Sequence, residues 1–474
     1  MPIRIAIAML ASLLIVPPAI AAEPGARPTD PTAPQEIRYP NGASVQQHCT
    51  PRVCVNWVRS GAHPPPSDDT DSDGVPDLIE GLVVAYSQAE SVEIEQLGFT
   101  APLPDSDSDD EGLDDRVDVY LADIDREGYC LSDDPDLKQA VESSAHTAAS
   151  VFCVIDNDLS DRTGAPADEI RREAARTLFQ AIAAAYDALE DEWFTQASAT
   201  WIADVVFDDL PVTAEMLTSG PILQPDYPLD FFGEPEPGRV DSAWLFLRFL
   251  TEHLGTDGLP DNGFLRQVWE FAAADGGGSG IDMYSMQALA HALSLRELDL
   301  ETVFASFNWL NWLPLETYSD GQEYIDTLVA AGIEPLPYVT KTHYFSKRVY
   351  TTGWWAQALF HMSAINVGFR PKKGVAPSTR LRLQVDGPKL TSFPQARFHI
   401  FFTDGTRSSG FIRLREDGTG GRTVDFGGGV VDRVILTITN ASARYVDCGT
   451  GTSLSCGGRA LDELTDYRWR ATIR

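Results

Sequence analysis

The stretch DTDSDGVPDLIE, residues 69–80, sets five carboxylates in twelve positions, with the spacing of a calcium loop. Asp69, Asp71 and Asp73 take loop positions 1, 3 and 5, and Gly74 makes the sharp turn at 6. The Val75 carbonyl would ligate at 7, with Asp77 at 9 and Glu80 at 12. Ca²⁺ takes six or more hard oxygens, and a chain presents them in one turn when alternate side chains point inward. Pro76 at position 8 departs from the EF-hand pattern and no clear helix precedes the loop. A single structural calcium turn is therefore expected rather than a paired sensor. The competing reading is a solvated acidic linker following Pro64, Pro65 and Pro66. A second acidic cluster, DSDSDDEGLDD at 105–115, lacks the glycine and glutamate register and reads as a solvated loop.

A different chemistry is suggested at 175–201. Ala175, Leu178, Phe179, Ile182, Ala185, Tyr186 and Leu189 recur at helical spacing, so one face packs inward. Arg176 and Gln180, four apart, share a neighbouring face, and a 16-residue step leads from Gln180 to Gln196. Two histidines at i and i+4 would converge on Zn²⁺ there, while a glutamate after the first polarises the bound water and a second helix supplies a carboxylate.

The chain resembles a family of exported bacterial metallopeptidases of the zincin class, which carry HExxH on one helix and a glutamate in W-F/L-x-E-(A/G)-x-A-x-W on the next. The likeness rests on AYDALEDEWF (185–194), ASATWIADVVFDD (197–209), DVYLAD (118–123), YPLDFF (227–232), the acidic loop and a terminal β-sandwich, and covers most of the chain. It implies a zincin-like mixed sheet with a helical subdomain. It also implies that Arg176 and Gln180 stand at the two histidine positions, Thr177 at the catalytic glutamate and Gln196 at the third ligand. Arginine has no lone pair to donate, threonine is no base near neutral pH, and a carboxamide is a poor zinc ligand. The expectation is a homologue without bound zinc and without catalysis, whose cleft binds a peptide or protein or serves as a scaffold.

Two other readings compete. An active metal-dependent hydrolase with non-standard ligands would use Asp187, Asp204 or His146; no histidine pair forms HxxxH or HExxH, and no GxSxG, P-loop or GxGxxG is present. Alternatively, the C-terminal sandwich does the work as a surface-attachment module.

The elements that must hold these residues follow from patterning. RVCVNWV (52–58), DRVDVYLADI (115–124) and ASVFCVIDND (149–158) read as strands, with a helix over 77–97 after the first. Helices alone follow, near 167–189, 194–208, 240–254, 262–274, 283–294 and 299–310. After 341, the runs 380–386, 397–405, 410–418, 433–440 and 467–474 alternate as in an antiparallel sandwich, two of them closed by Asp-Gly. The predicted class is α+β followed by a C-terminal antiparallel β-sandwich. Residues 1–22 read as a signal peptide, 23–47 as a flexible leader, 48–336 as the zincin-like domain and 341–474 as the sandwich.

Charge supports that division. Residues 1–340 carry 60 acidic and 16 basic side chains, and 341–474 carry 10 acidic and 20 basic. The acidic part argues against nucleic acid and anionic membranes as its partners, and no segment reaches transmembrane length. Six cysteines, Cys49, Cys54, Cys130, Cys153, Cys448 and Cys456, fall in three close couples. In an exported chain they read as disulfides, with local pairing expected among the 15 arrangements that six cysteines allow. The protein is expected to be periplasmic or secreted.

Overall fold

The computed structural model describes residues 23–104, 115–133, 137, 147–160, 162, 164–233, 239–274 and 283–474. Residues 1–22, expected to be a signal peptide, most of the second acidic cluster and His146 lie outside the described residues. The fold is mixed α+β with antiparallel sheets in the C-terminal region, as the patterning predicts.

The N-terminal sheet has six strands in the order β1-β5-β6-β4-β3-β2. These are β1 (Glu23–Pro24), β2 (Val45–Cys49), β3 (Val53–Val58), β4 (Val117–Ala122), β5 (Tyr129–Ser132) and β6 (Phe152–Asp156). β3, β4 and β6 run parallel, β2 pairs antiparallel to β3 and β5 antiparallel to β6, and β1 pairs parallel to β5. The central strands are buried along their whole length because helices pack on one face and the 25–43 segment on the other.

That second layer corrects the expectation of a flexible leader. β1 and β2 are strands of the sheet, and Ala33, Ile37 and Tyr39 are buried against Tyr120, Phe152 and Val154. Arg27 is buried with its guanidinium 2.7 Å from Asp118 and 2.8 Å from Asp133. Proline and alanine hid the fold of this segment, since its few large side chains lack any period. β2 and the short β5 were likewise invisible to pattern, their registers being set by neighbours and by Cys49–Cys54 and Cys130–Cys153, which join adjacent strands.

The Pro166–Asp187 helix starts on a proline at its first turn, where a missing N–H costs nothing, and packs across the sheet. Glu192–Val206 follows after a short turn. Further helices, among them Trp244–Leu254, Gly263–Phe271, Ser285–Ser294 and Leu300–Leu310, share the same core through Trp193, Phe194, Trp201, Trp244 and Trp269.

The C-terminal region stacks two antiparallel-rich sheets. One has β13 (Thr419–Asp425), β10 (Arg380–Asp386), β17 (Thr465–Ile473) and β8 (Trp355–Leu359) in that order. The other has β12 (Arg407–Phe411), β11 (Pro394–Phe402), β14 (Val431–Asn440), β9 (Ser363–Pro371) and β7 (Lys341–Phe345). Their inner faces form a separate core of residues such as Ile365, Leu383, Phe398, Leu436 and Trp469. The two Asp-Gly pairs serve as turns, with Gly405 and Gly418 at φ of 86° and 82°. The run 410–418 is not a strand throughout: the chain leaves the sheet after Phe411 and turns back into β13.

The third disulfide, Cys448–Cys456, closes a loop that plugs into the helical region. Cys456 N donates to Asp191, and Trp193 Nε1 donates to Ser285 and Ser455 at 3.0 Å. Asp230, fully buried, accepts from His361 Nε2 at 2.9 Å, Tyr445 at 2.6 Å and Ser455 N at 3.0 Å. All three couples pair locally. Disulfides are stable in oxidising compartments, so they fit an extracellular or periplasmic protein. Among the described residues no helix is long and apolar enough to cross a membrane.

Candidate functional site

Arg176, Gln180 and Gln196 meet between the Pro166–Asp187 and Glu192–Val206 helices. Positions 176 and 180 lie one turn apart on one face, and the second helix brings Gln196 opposite them. Gln180 Nε2 donates to Gln196 Oε1 at 3.3 Å and to the Gly128 carbonyl at 3.3 Å. Arg176 is buried, and its guanidinium fills the space between the helices. Nη2 lies 2.5 Å from Glu127, 2.9 Å from Asp241 and 3.3 Å from Gln196 Oε1, while Nη1 donates to Thr200 Oγ1. Thr200 in turn donates to Asp241 at 3.3 Å.

Thr177 does not join this cluster. One residue on, it points about 100° around the helix. There its hydroxyl donates to the Glu173 carbonyl at 2.7 Å and meets the buried Tyr86 hydroxyl at 2.6 Å. Asp187 and Asp204 also stand apart. Asp187 is eleven residues from Arg176 along one helix, about 16 Å at 1.5 Å per residue, and caps Leu189 N at 2.8 Å. Asp204 is paired with Arg248 at 2.5 Å.

Glu127, Glu173, Thr200 and Asp241 escaped the sequence reading. Glu173, three residues before Arg176, and Thr200, four after Gln196, offered a local helical signal; Glu127 arrives from a loop and Asp241 from the short Arg239–Ser242 helix, both distant in the chain. The turn carrying Glu127 lies directly on the helix. A side chain on Gly128 would come 2.6 Å from Glu173 Oε2 and 2.7 Å from Thr177. Glycine lets its N–H reach Glu173 at 2.9 Å.

The electrostatics are those of a caged cation. Burial disfavours the charged guanidinium, but Glu127, Asp241 and Glu173 outweigh it and hold its pKa above the ordinary arginine value. Burial, then the charge of Glu127, raises Glu173 to about 7 against the opposing pull of Arg176 and Arg162. Burial and Glu127 likewise raise Asp241 to about 6. Zinc does not fit: no described histidine joins the cluster, and its carboxylates are engaged by a guanidinium that offers no lone pair.

In the acidic loop, carboxylate oxygens of Asp69, Asp71 and Asp73 lie within 4.8 Å of one another. Asp77 turns back to Thr70, accepting from its N at 2.8 Å and its hydroxyl at 2.6 Å. Val75 N donates to Asp73 at 2.8 Å. Glu80 sits in the first turn of the Asp77–Ala89 helix, where burial and then the charges of Asp71, Asp73, Asp77 and Asp69 raise its pKa. The donors suit a hard cation; Asp77 and Glu80 would have to swing in to complete a shell.

No protein-family profile and no curated protein matches the chain. One solved structure with weak similarity is a family GH115 4-O-methyl-α-glucuronidase with specificity for decorated arabinogalactans. It is 10% identical with a TM-score of 0.15, over 80% of this chain and 54% of that one, so this chain spans about half that protein's length.

Proposed function

We propose that this protein is an exported, non-catalytic relative of the zincin-type metallopeptidases, in which a side-chain cation stands where relatives hold a metal, and that its body binds or scaffolds a peptide or protein. The observation that supports this reading is the caged guanidinium of Arg176, held by Glu127, Asp241, Gln196 and Thr200. A guanidinium neutralises carboxylates and tethers two helices much as an ion would, but it cannot carry a water whose pKa is lowered toward about 7. Calcium in the 69–80 loop belongs to the same reading, as a structural ion remote from any chemistry.

Elemental analysis of the purified protein and a casein-cleavage assay test it. Zinc well below one equivalent and no cleavage are expected. The combined variant Arg176→His, Thr177→Glu, Gln180→His, Gln196→Glu should gain stoichiometric zinc. Zinc or proteolysis in the parent protein would overturn the reading.

A further inference from the structure

The outer face of the β13-β10-β17-β8 sheet collects several arginines, four of them without a direct ion pair among the described residues. Strand alternation buries Leu381, Leu383 and Val385 of β10 and Tyr467, Trp469 and Ala471 of β17, so Arg382, Gln384, Arg468 and Arg470 face outward. Arg413 and Arg415 approach the same face from the segment leading into β13. Among the described residues, Arg382, Arg413, Arg415 and Arg468 have no carboxylate within 4.0 Å, whereas neighbouring Arg380 pairs with Asp425 at 3.0 Å. Asp386 is the carboxylate on the rim.

This face is shaped as well as charged. A depression of about 380 Å³ opens between Trp354, Arg382, Arg413 and Arg415. Its floor is Gly420 and Gly421. A Cβ on Gly421 would lie 2.8 Å from the Leu383 carbonyl and 2.9 Å from Arg382 Nη2, so the glycine lets the Arg382 side chain lie flat across the strand. Trp354 stands at the edge, 48% exposed. The Arg470 guanidinium covers one face of its ring at 4.8 Å and is itself fixed by Gln384 Oε1 at 2.8 Å. The indole is thus braced on one face and partly open to solvent.

We propose that this face binds an acidic polysaccharide. Guanidinium forks match carboxylates bidentately, the braced indole offers an apolar face to a sugar ring, and the depression has the concavity of a ring site rather than the flatness of a membrane-contact surface. Arginines spread over adjacent strands and a loop would engage successive residues of a polymer, so that weak contacts add. The charge is local: the whole chain is at −34, and its acidic part repels polyanions generally. At physiological salt the Debye length of about 8 Å screens that repulsion from the sheet.

Affinity electrophoresis of the full chain in gels containing polygalacturonate tests this, with dextran as the neutral control. Retardation by polygalacturonate and none by dextran is expected, weakening at least 10-fold in Arg382→Glu/Arg415→Glu and in Trp354→Ala. These side chains point away from the sandwich core, and an unchanged melting temperature would verify that the variants fold. No retardation of the parent protein, equal retardation by dextran, or retardation indifferent to the arginine exchange would overturn the proposal. So would arginine-dependent flotation with phosphatidylglycerol vesicles in the absence of polygalacturonate binding, which would assign the face to lipid.

Discussion

Arg176 concentrates the electrostatics of the N-terminal body at one side chain. Replacing it by methionine keeps an unbranched apolar stem but leaves Asp241 and Glu127 facing each other without a cation. Breaking a buried pair costs on the order of 3–5 kcal/mol; the lower end applies here because Glu127 is 43% exposed and solvent screens its share. The loss should depend on pH. Glu173 and Asp241 have folded pKa values raised to about 7 and about 6. Their burial is therefore harmless below the ordinary carboxylate range and costs stability as pH rises through those values. Without the guanidinium both values climb further, so Arg176→Met should destabilise more at pH 8 than at pH 5. Urea midpoints at the two pH values measure this, and equal losses would remove the guanidinium from its assigned role.

Among the elements, the buried join between the 227–233 segment and the β8–β9 turn carries a second testable charge. His361 Nε2 faces Asp230 at 2.9 Å, Nδ1 contacts Glu463, and Tyr445 packs edge-on to its ring. Burial opposes its protonation, but Asp230 and then Glu463 raise its pKa to about 10. A raised histidine stabilises the fold fully below its unfolded pKa of about 6.5 and loses that contribution as pH climbs towards about 10. Asp230 is lowered because hydrogen bonding and the charge of His361 outweigh burial, so its half of the pair persists on the acid side to well below the usual carboxylate range. His361→Gln should therefore lower the melting temperature most near pH 5 to 6, with the gap to the parent protein closing by pH 10. A pH-independent gap would mean that packing, not the ion pair, holds the two regions together.

At the scale of the whole molecule, an acidic chain closed by three local disulfides gathers carboxylates in exposed turns such as 69–80. If the 69–80 loop takes calcium, saturation at 100 times Kd adds about 2.7 kcal/mol. Calcium should then raise the melting temperature and a chelator reverse it, with the effect lost in Asp71→Asn/Asp73→Asn. An indifferent melting curve would leave the loop as a solvated turn held by Asp69 accepting from Gly74 N and Asp73 from Val75 N.

Periodicity and composition alone determined the α+β order, the long helices, the Asp-Gly turns and the change of character after residue 341, because each is written in side chains near one another in the chain. The local disulfide couples were legible for the same reason. The convergence of 176, 180 and 196 was half legible: helical spacing aligned the first two, and the resemblance supplied the third. What tertiary structure decided was everything assembled from distant parts of the chain. Glu127 and Asp241 close the cage on Arg176, residues 25–43 pack on the sheet through Arg27, Ala33, Ile37 and Tyr39 rather than trailing as a leader, and Asp230 seats His361 across the join. Arginines scattered from 382 to 470 became one face only when β10 and β17 paired and the 413–415 segment folded beside β13. Such contacts are set by how layers pack and which registers they share, and a residue read along the chain carries no mark of the neighbour that packing will bring to it.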